Sequence, residues 1–159
     1  YAKAGAIVTG IDFSERLIAA AQAEESRTPL GIQYQVADAS KMGNIESESF
    51  DIVISFMALM DIENYEGAIM QAARVLKPGG RFVFISFHPC FGWSRRNDGE
   101  IMCRWEYRRL EDGSREPHYL KIFEYFTNHS YKMRWKGDEG HEFGVTTMFH
   151  RTLSDYMRS

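Results

Sequence analysis

"AIVTGIDFSERLIAAAQ", residues 6–22, decides the fold: a short apolar run ends in an acid, and a helix starts directly behind it. "AIVTGI" has the nearly continuous apolar texture of a strand covered on both faces. Ser14 stands where a helix N-cap belongs, and Phe13 and Ile18 occupy the two positions of a hydrophobic staple. Leu17, Ile18, Ala21 and Gln22 begin a helical period, which ends in the breaker "SRTPLG" (26–31) at Pro29 and Gly31. Strand, acid and helix in this order are part of a βαβ unit with a parallel sheet.

The same alternation continues to about residue 88. "IQYQVAD" (32–38), "FDIVISF" (50–56) and "RFVFISF" (81–87) read as three further strands. Between the last two, Ala68, Ile69, Ala72, Ala73, Val75 and Leu76 trace the apolar stripe of a crossover helix. It stops at "KPGG" (77–80), where proline cannot continue a helix and the glycines allow a reversal. Beyond residue 88 the texture changes. "RRNDGE" (95–100) and "EDGSRE" (111–116) are charged and turn-rich, and "YLKIFEYFTNHSYKMRW" (119–135) and "FGVTTMFH" (143–150) read as antiparallel strands joined through "KGDEG" (136–140). "TLSDYMRS" (152–159) opens a helix through the capping-box pair Thr152 and Asp155. "YAKAG" (1–5) reads as the last turn of a helix with Gly5 as its left-handed cap. Both ends are therefore expected to be cut.

A chain of 159 residues with 44% hydrophobic and 14% aromatic residues is sized for one domain with a real core. The expected division is a βαβ core over 1–88, a β-rich aromatic insertion over 89–150 and the start of a C-terminal helix over 151–159. A net charge of −3 gives no basic face for a phosphate backbone, so nucleic acid is not an expected partner. "FDIVISFMALM" (50–60) is about half of the ~20 residues that a membrane span needs. The expected location is cytoplasmic. Cys90 and Cys103 fall in no C-x-x-C pattern, and the five histidines and two cysteines show no ligand spacing, so no metal is expected.

In an open parallel sheet, ligands bind outside the carboxyl ends of the strands. The informative positions are therefore Asp12, Asp38 with Ala39, Ser55 to Met57, and Ser86 to His88. An acid at a strand end suits a ligand rich in hydroxyl and amino donors, and equally serves as a helix cap or turn former. His88 is the first candidate for a general base, with Tyr125 and His150 behind it. His118, His129 and His141 lie in turn-rich sequence and are expected to be bystanders. Trp93, Trp105, Tyr107 and Phe123 either line an apolar pocket under a lid or form the core of a small sheet. Arg95 and Arg96 face an anionic ligand on one reading and solvent on the other.

Taken together, "GAIVTGIDFSERLIAAAQ" (5–22), "YQVADASKM" (34–42), "FDIVISFMALMDI" (50–62) and "AARVLKPGGRFVFIS" (72–86) resemble the class I S-adenosylmethionine-dependent methyltransferases of the ubiquinone and menaquinone type. The resemblance implies a Rossmann-like three-layer α/β sandwich with a mostly parallel sheet. It implies that Asp12 accepts from both ribose hydroxyls, with Phe13 beside the adenine. Asp38 then accepts from the adenine amine, the Ala39 backbone faces the ring nitrogen, and Ser55, Phe56 and Met57 line the methionine side. "LKPGG" is architectural. The family's glycine-rich loop and first strand are expected to lie before Tyr1. The implied activity is methyl transfer from S-adenosylmethionine to a small-molecule acceptor. The competing readings are a non-catalytic relative and an NAD(P)-dependent oxidoreductase, the latter without a Y-x-x-x-K pair.

Overall fold

The computed structural model describes residues 1–89, 103–136 and 142–158, apart from the side chains of Lys136, Glu142 and Phe143. A short 3-10 turn, Ala2–Ala4, ends at Gly5 with φ 91°, the left-handed cap expected of "YAKAG". Strand β1 (Thr9–Asp12) leads into helix α1 (Glu15–Arg27), whose N-cap Ser14 accepts from the Leu17 N–H. Ile18 is the buried residue of α1, whereas Phe13 is 79% exposed and leaves the expected staple open. The Glu25 carboxylate accepts from the N–H groups of Leu30, Gly31 and Ile32, so the "SRTPLG" breaker is tied to the helix it ends.

Strand β2 (Gln33–Val36) pairs parallel with β1, with Asp12 opposite Val36. Strands β3 (Phe50–Phe56) and β4 (Leu76–Ile85) form a second pair. Its backbone bonds advance together, from Ser49 N–H to Val75 O and from Met57 N–H to Ile85 O, so this pair is also parallel. Helix α2 (Tyr65–Val75) connects β3 to β4, capped by Asn64, which accepts from the Gly67 N–H. Ala68, Ala72 and Val75 are buried as the stripe predicts, and Ala73 falls on the exposed side.

"KPGG" enters β4 itself rather than preceding it. Gly79 has φ 81°, open to a residue without Cβ. A Cβ on Gly80 would meet the Lys77 carbonyl oxygen at 2.9 Å and that of Asp51 at 3.1 Å. The glycine therefore lets β4 approach β3.

The second half is antiparallel. Strands β5 (Cys103–Arg109) and β6 (Arg115–Ile122) form a hairpin, and β7 (His129–Lys136) and β8 (Glu142–His150) another. The first hairpin turns on Asp112, whose carboxylate accepts from the Ser114 N–H and hydroxyl. The expected run 119–135 is interrupted between β6 and β7, where Glu124 adopts φ 51° and its carbonyl accepts from the Thr127 N–H. Helix α3 (Leu153–Arg158) carries the predicted capping box, with Thr152 N–H donating to Asp155 and Asp155 N–H to the Thr152 hydroxyl.

The chain divides into two compact units, one of residues 1–53 and 64–82 and the other of residues 54–63 and 83–159. In the second unit Met60, Tyr131 and Met148 form a buried cluster, with Met57 and Met133 packed against it.

Candidate functional site

The parallel register of β1 and β2 brings two acids to one end. Asp12 closes β1 opposite Val36, and its carbonyl accepts from the Ala37 N–H, so Asp38 follows at the same carboxyl end. Asp12 Oδ1 takes the Ser14 N–H at 2.8 Å, which fixes the carboxyl against the start of α1. Asp38 Oδ1 takes both the N–H and the hydroxyl of Ser40, and Lys41 lies 3.4 Å from Oδ2. The Ser40 hydroxyl, then its N–H, hold the Asp38 carboxyl below the usual carboxylate range. Each carboxylate keeps lone pairs beyond these bonds, since two oxygens offer roughly four acceptor sites.

The loop behind Asp38 is held from a distance in sequence. Arg74 on α2 donates to the carbonyls of Met42 and Ile45 and to the Ser47 hydroxyl.

Ser55 and Phe56 close β3, and Met57 follows it. Phe56 is exposed, and Met57 adopts φ 51°, a left-handed conformation that costs a side chain with a Cβ on the order of 1–3 kcal/mol. Its N–H bond to Ile85 O and its packing against Met60, Tyr131 and Met148 hold it there. A 3-10 turn, Leu59–Asp61, follows directly.

In the second unit a small cavity of about 20 Å³ is lined by residues that include Met60, Phe87, His88, Tyr131, Met148 and His150. His88 and His150 thus line the same cavity. His150 is buried, and burial is the main cause that lowers its pKa, keeping the ring neutral. Its Nε2 lies 2.9 Å from the Tyr125 carbonyl oxygen. A carbonyl only accepts, so Nε2 carries the proton and Nδ1 the lone pair. His129, expected to be a bystander, stacks on this ring with centroids 4.8 Å apart.

Tyr125 lies elsewhere than at the cavity lining. Its hydroxyl accepts from the Leu153 N–H at the start of α3, and its carbonyl serves His150. Trp105 and Tyr107 stand on β5 with about half their surface exposed, and Phe123 follows β6 under the cations of Lys121 and Arg104. None of the three lines this cavity. Trp93, Arg95, Arg96, Cys90 and His141 lie outside the described residues.

Two residues at these sites were not anticipated from sequence. Asp61, in the turn after β3, has a carboxyl pushed up to about 6 by desolvation. Arg151, 6% exposed, donates to the carbonyls of Leu59, Ile62 and Glu63. A single acid after an apolar run and an arginine after a strand give no sequence signal for either role. Among the described residues, no group of three or more His, Cys, Asp or Glu side chains is placed to hold a metal. No helix among them is long and apolar enough to cross a membrane.

Comparison with known proteins gives this geometry a context. Residues 1–84 match the family model described as a methyltransferase domain. The chain is 37% identical over 89 residues to a demethylmenaquinone methyltransferase of Tropheryma whipplei, covering 55% of this chain and 36% of that protein. It is 34% identical over 90 residues to a ubiquinone biosynthesis O-methyltransferase of Coxiella burnetii, covering 57% and 38%. The chain thus spans little more than a third of these relatives. A crystal structure of an S-adenosylmethionine-dependent methyltransferase from Mesorhizobium loti superposes with a TM-score of 0.65 at 27% identity, over 96% of this chain and 60% of that one. The fold is therefore the Rossmann-like α/β fold of these enzymes, and the likeness extends through the β-rich second half.

Proposed function

As the chain belongs to the methyltransferase domain family, we propose that the protein carrying it transfers a methyl group from S-adenosylmethionine to a small-molecule acceptor. The observation that carries this reading is the pair Asp12 and Asp38 at the carboxyl end of two parallel strands. Asp12, oriented by the Ser14 N–H, has lone pairs left to accept from a ribose diol. Asp38, kept ionised by Ser40, accepts from the adenine amine, with the Ala39 backbone beside the ring. The exposed Phe13 ring offers an apolar face to the base. For Ser55, Phe56 and Met57 the family resemblance implies the methionine side. When bound, S-adenosylmethionine supplies a methyl on a good leaving group, so positioning rather than heavy acid–base chemistry is what the protein contributes.

On the acceptor side, His88 is the proposed base; the cavity it lines with apolar Met60, Phe87 and Met148 has room for about one water molecule, so the acceptor is proposed to lie against these residues rather than inside it. That lining suits a partly apolar acceptor, in keeping with relatives whose names concern menaquinone and ubiquinone.

The test is calorimetric titration of S-adenosylhomocysteine into the whole protein and its Asp12→Ala variant. Binding that the substitution weakens by about 1–3 kcal/mol, the worth of charge-assisted hydrogen bonds, supports the assignment. Absence of binding by the parent overturns it and favours the non-catalytic reading.

A further inference from the structure

We propose that Arg151 is a positioning residue of the methyl-transfer site, holding the turn after β3 in the conformation that presents Ser55–Met57. This rests on the function proposed above for that segment. Arg151 follows β8, yet its guanidinium spans the turn 58–63. Nη1 donates to Leu59 O at 3.2 Å, and Nη2 donates to Ile62 O and Glu63 O at 2.7 and 2.8 Å. The carbonyls at the start and the end of the turn are thus gripped by one rigid planar group, which the point-like ammonium of a lysine does not reproduce. The guanidinium also lies over the Phe149 ring, 5.1 Å from its centroid, and the side chain is buried.

What this grip secures is a conformation with reason to relax. Met57 sits at φ 51° immediately before the turn, and its side chain reaches the same cluster as Met60, which lies inside the turn. Released at its carbonyls, the turn is free to shift, and Met57 to return to an ordinary backbone conformation. Strand β8, which precedes Arg151, contributes Met148 and His150 to the cavity that Met60 also lines. One side chain therefore connects the acceptor-side strand to the segment assigned to the methyl donor. Arg74 does the same for the loop behind Asp38, with bonds to two carbonyls and a hydroxyl.

The experiment compares the whole protein with Arg151→Met, which keeps the apolar stem, and Arg151→Lys, which keeps the charge. Two quantities are read: amide exchange at Asp61 and Ile62, whose N–H groups donate to Ala58 O and Leu59 O, and affinity for S-adenosylhomocysteine. For Arg151→Met we expect exchange at these two amides to rise and affinity to fall, each about tenfold, the effect of losing hydrogen bonds from a charged donor. Amides of β7 and β8 keep their protection, and Arg151→Lys falls between parent and Met variant. Should Arg151→Met not fold, the Lys variant carries the test with a smaller expected change in the same direction. Exchange at Asp61 and Ile62 within twofold of the parent overturns the proposal, as does unchanged affinity once the turn has loosened. A parent that does not bind S-adenosylhomocysteine counts against the proposed function and, with it, the site that Arg151 would serve. The exchange data then still decide whether Arg151 holds the turn.

Discussion

The Asp61 carboxyl and the His150 imidazole are both withdrawn from water in the second unit, and burial acts on them in opposite directions of pH. Asp61 titrates at about 6 instead of 3.8, so the folded state holds a proton that the unfolded chain has already released. Its contribution to stability is present below pH 3.8 and is lost as the pH rises through 6. Asp61→Asn removes that slope. Discounted for solvent screening of a half-exposed group, the expected gain at pH 7.5 is on the order of 1 kcal/mol, with no difference at pH 3.5. Urea unfolding at the two values checks it, and an equal effect at both rules out the ionisation as its cause. His150 titrates below its ordinary 6.5, so the unfolded chain binds the extra proton and stability is lost as the pH falls below 6.5. His150→Gln flattens that acid limb, which unfolding midpoints between pH 5 and pH 8 detect.

At the scale of elements, local chemistry was legible at the caps, where the deciding residues are neighbours in sequence, and not at the staple, where Phe13 stays exposed. Ser14, the Thr152–Asp155 box and Gly5 cap where their types and spacing predict, and "FDIVISF" is β3 from its first residue to its last. Strand β5, "CRWEYRR", was hidden because four charges in seven residues mask its pairing with β6. Arg74 and Arg151 were hidden for another reason: their carbonyl partners lie 29 to 92 positions away, beyond any local pattern. The acids of the candidate site were legible because strand ends are, whereas the cavity around His88 depends on packing among distant segments. Gly80 illustrates how a motif acts through such distant contact. Gly80→Ala pushes a methyl against two backbone oxygens that cannot turn away, and is expected to cost about 1–3 kcal/mol. Gly43→Ala, with nothing within 4 Å and no left-handed φ, should be neutral or slightly stabilising by the same measurement.

Across the whole molecule, apolar content and apolar burial do not coincide. The composition supplies 44% hydrophobic residues, yet among those described the most enclosed large side chains are Leu59, Met148 and Val75, with Met60, Ile18 and Met42 close behind. Meanwhile Ile52, Ile54 and Phe56 alternate along β3 as an exposed row, although the run reads as a strand covered on both faces. Stability should follow enclosure rather than residue type, because removing methylenes costs most where the surroundings cannot collapse. Met148 is 1% exposed in the cluster with Met60 and Tyr131, so Met148→Ala is expected to cost about 2–5 kcal/mol. Ile54→Ala removes a comparable volume from a side chain 41% exposed, and is expected to cost less than about 1.5 kcal/mol. Chemical unfolding of the two variants under one set of conditions measures the difference. Equal losses would mean that the row on β3 is covered in solution, and the exposed face would then have to be counted with the core.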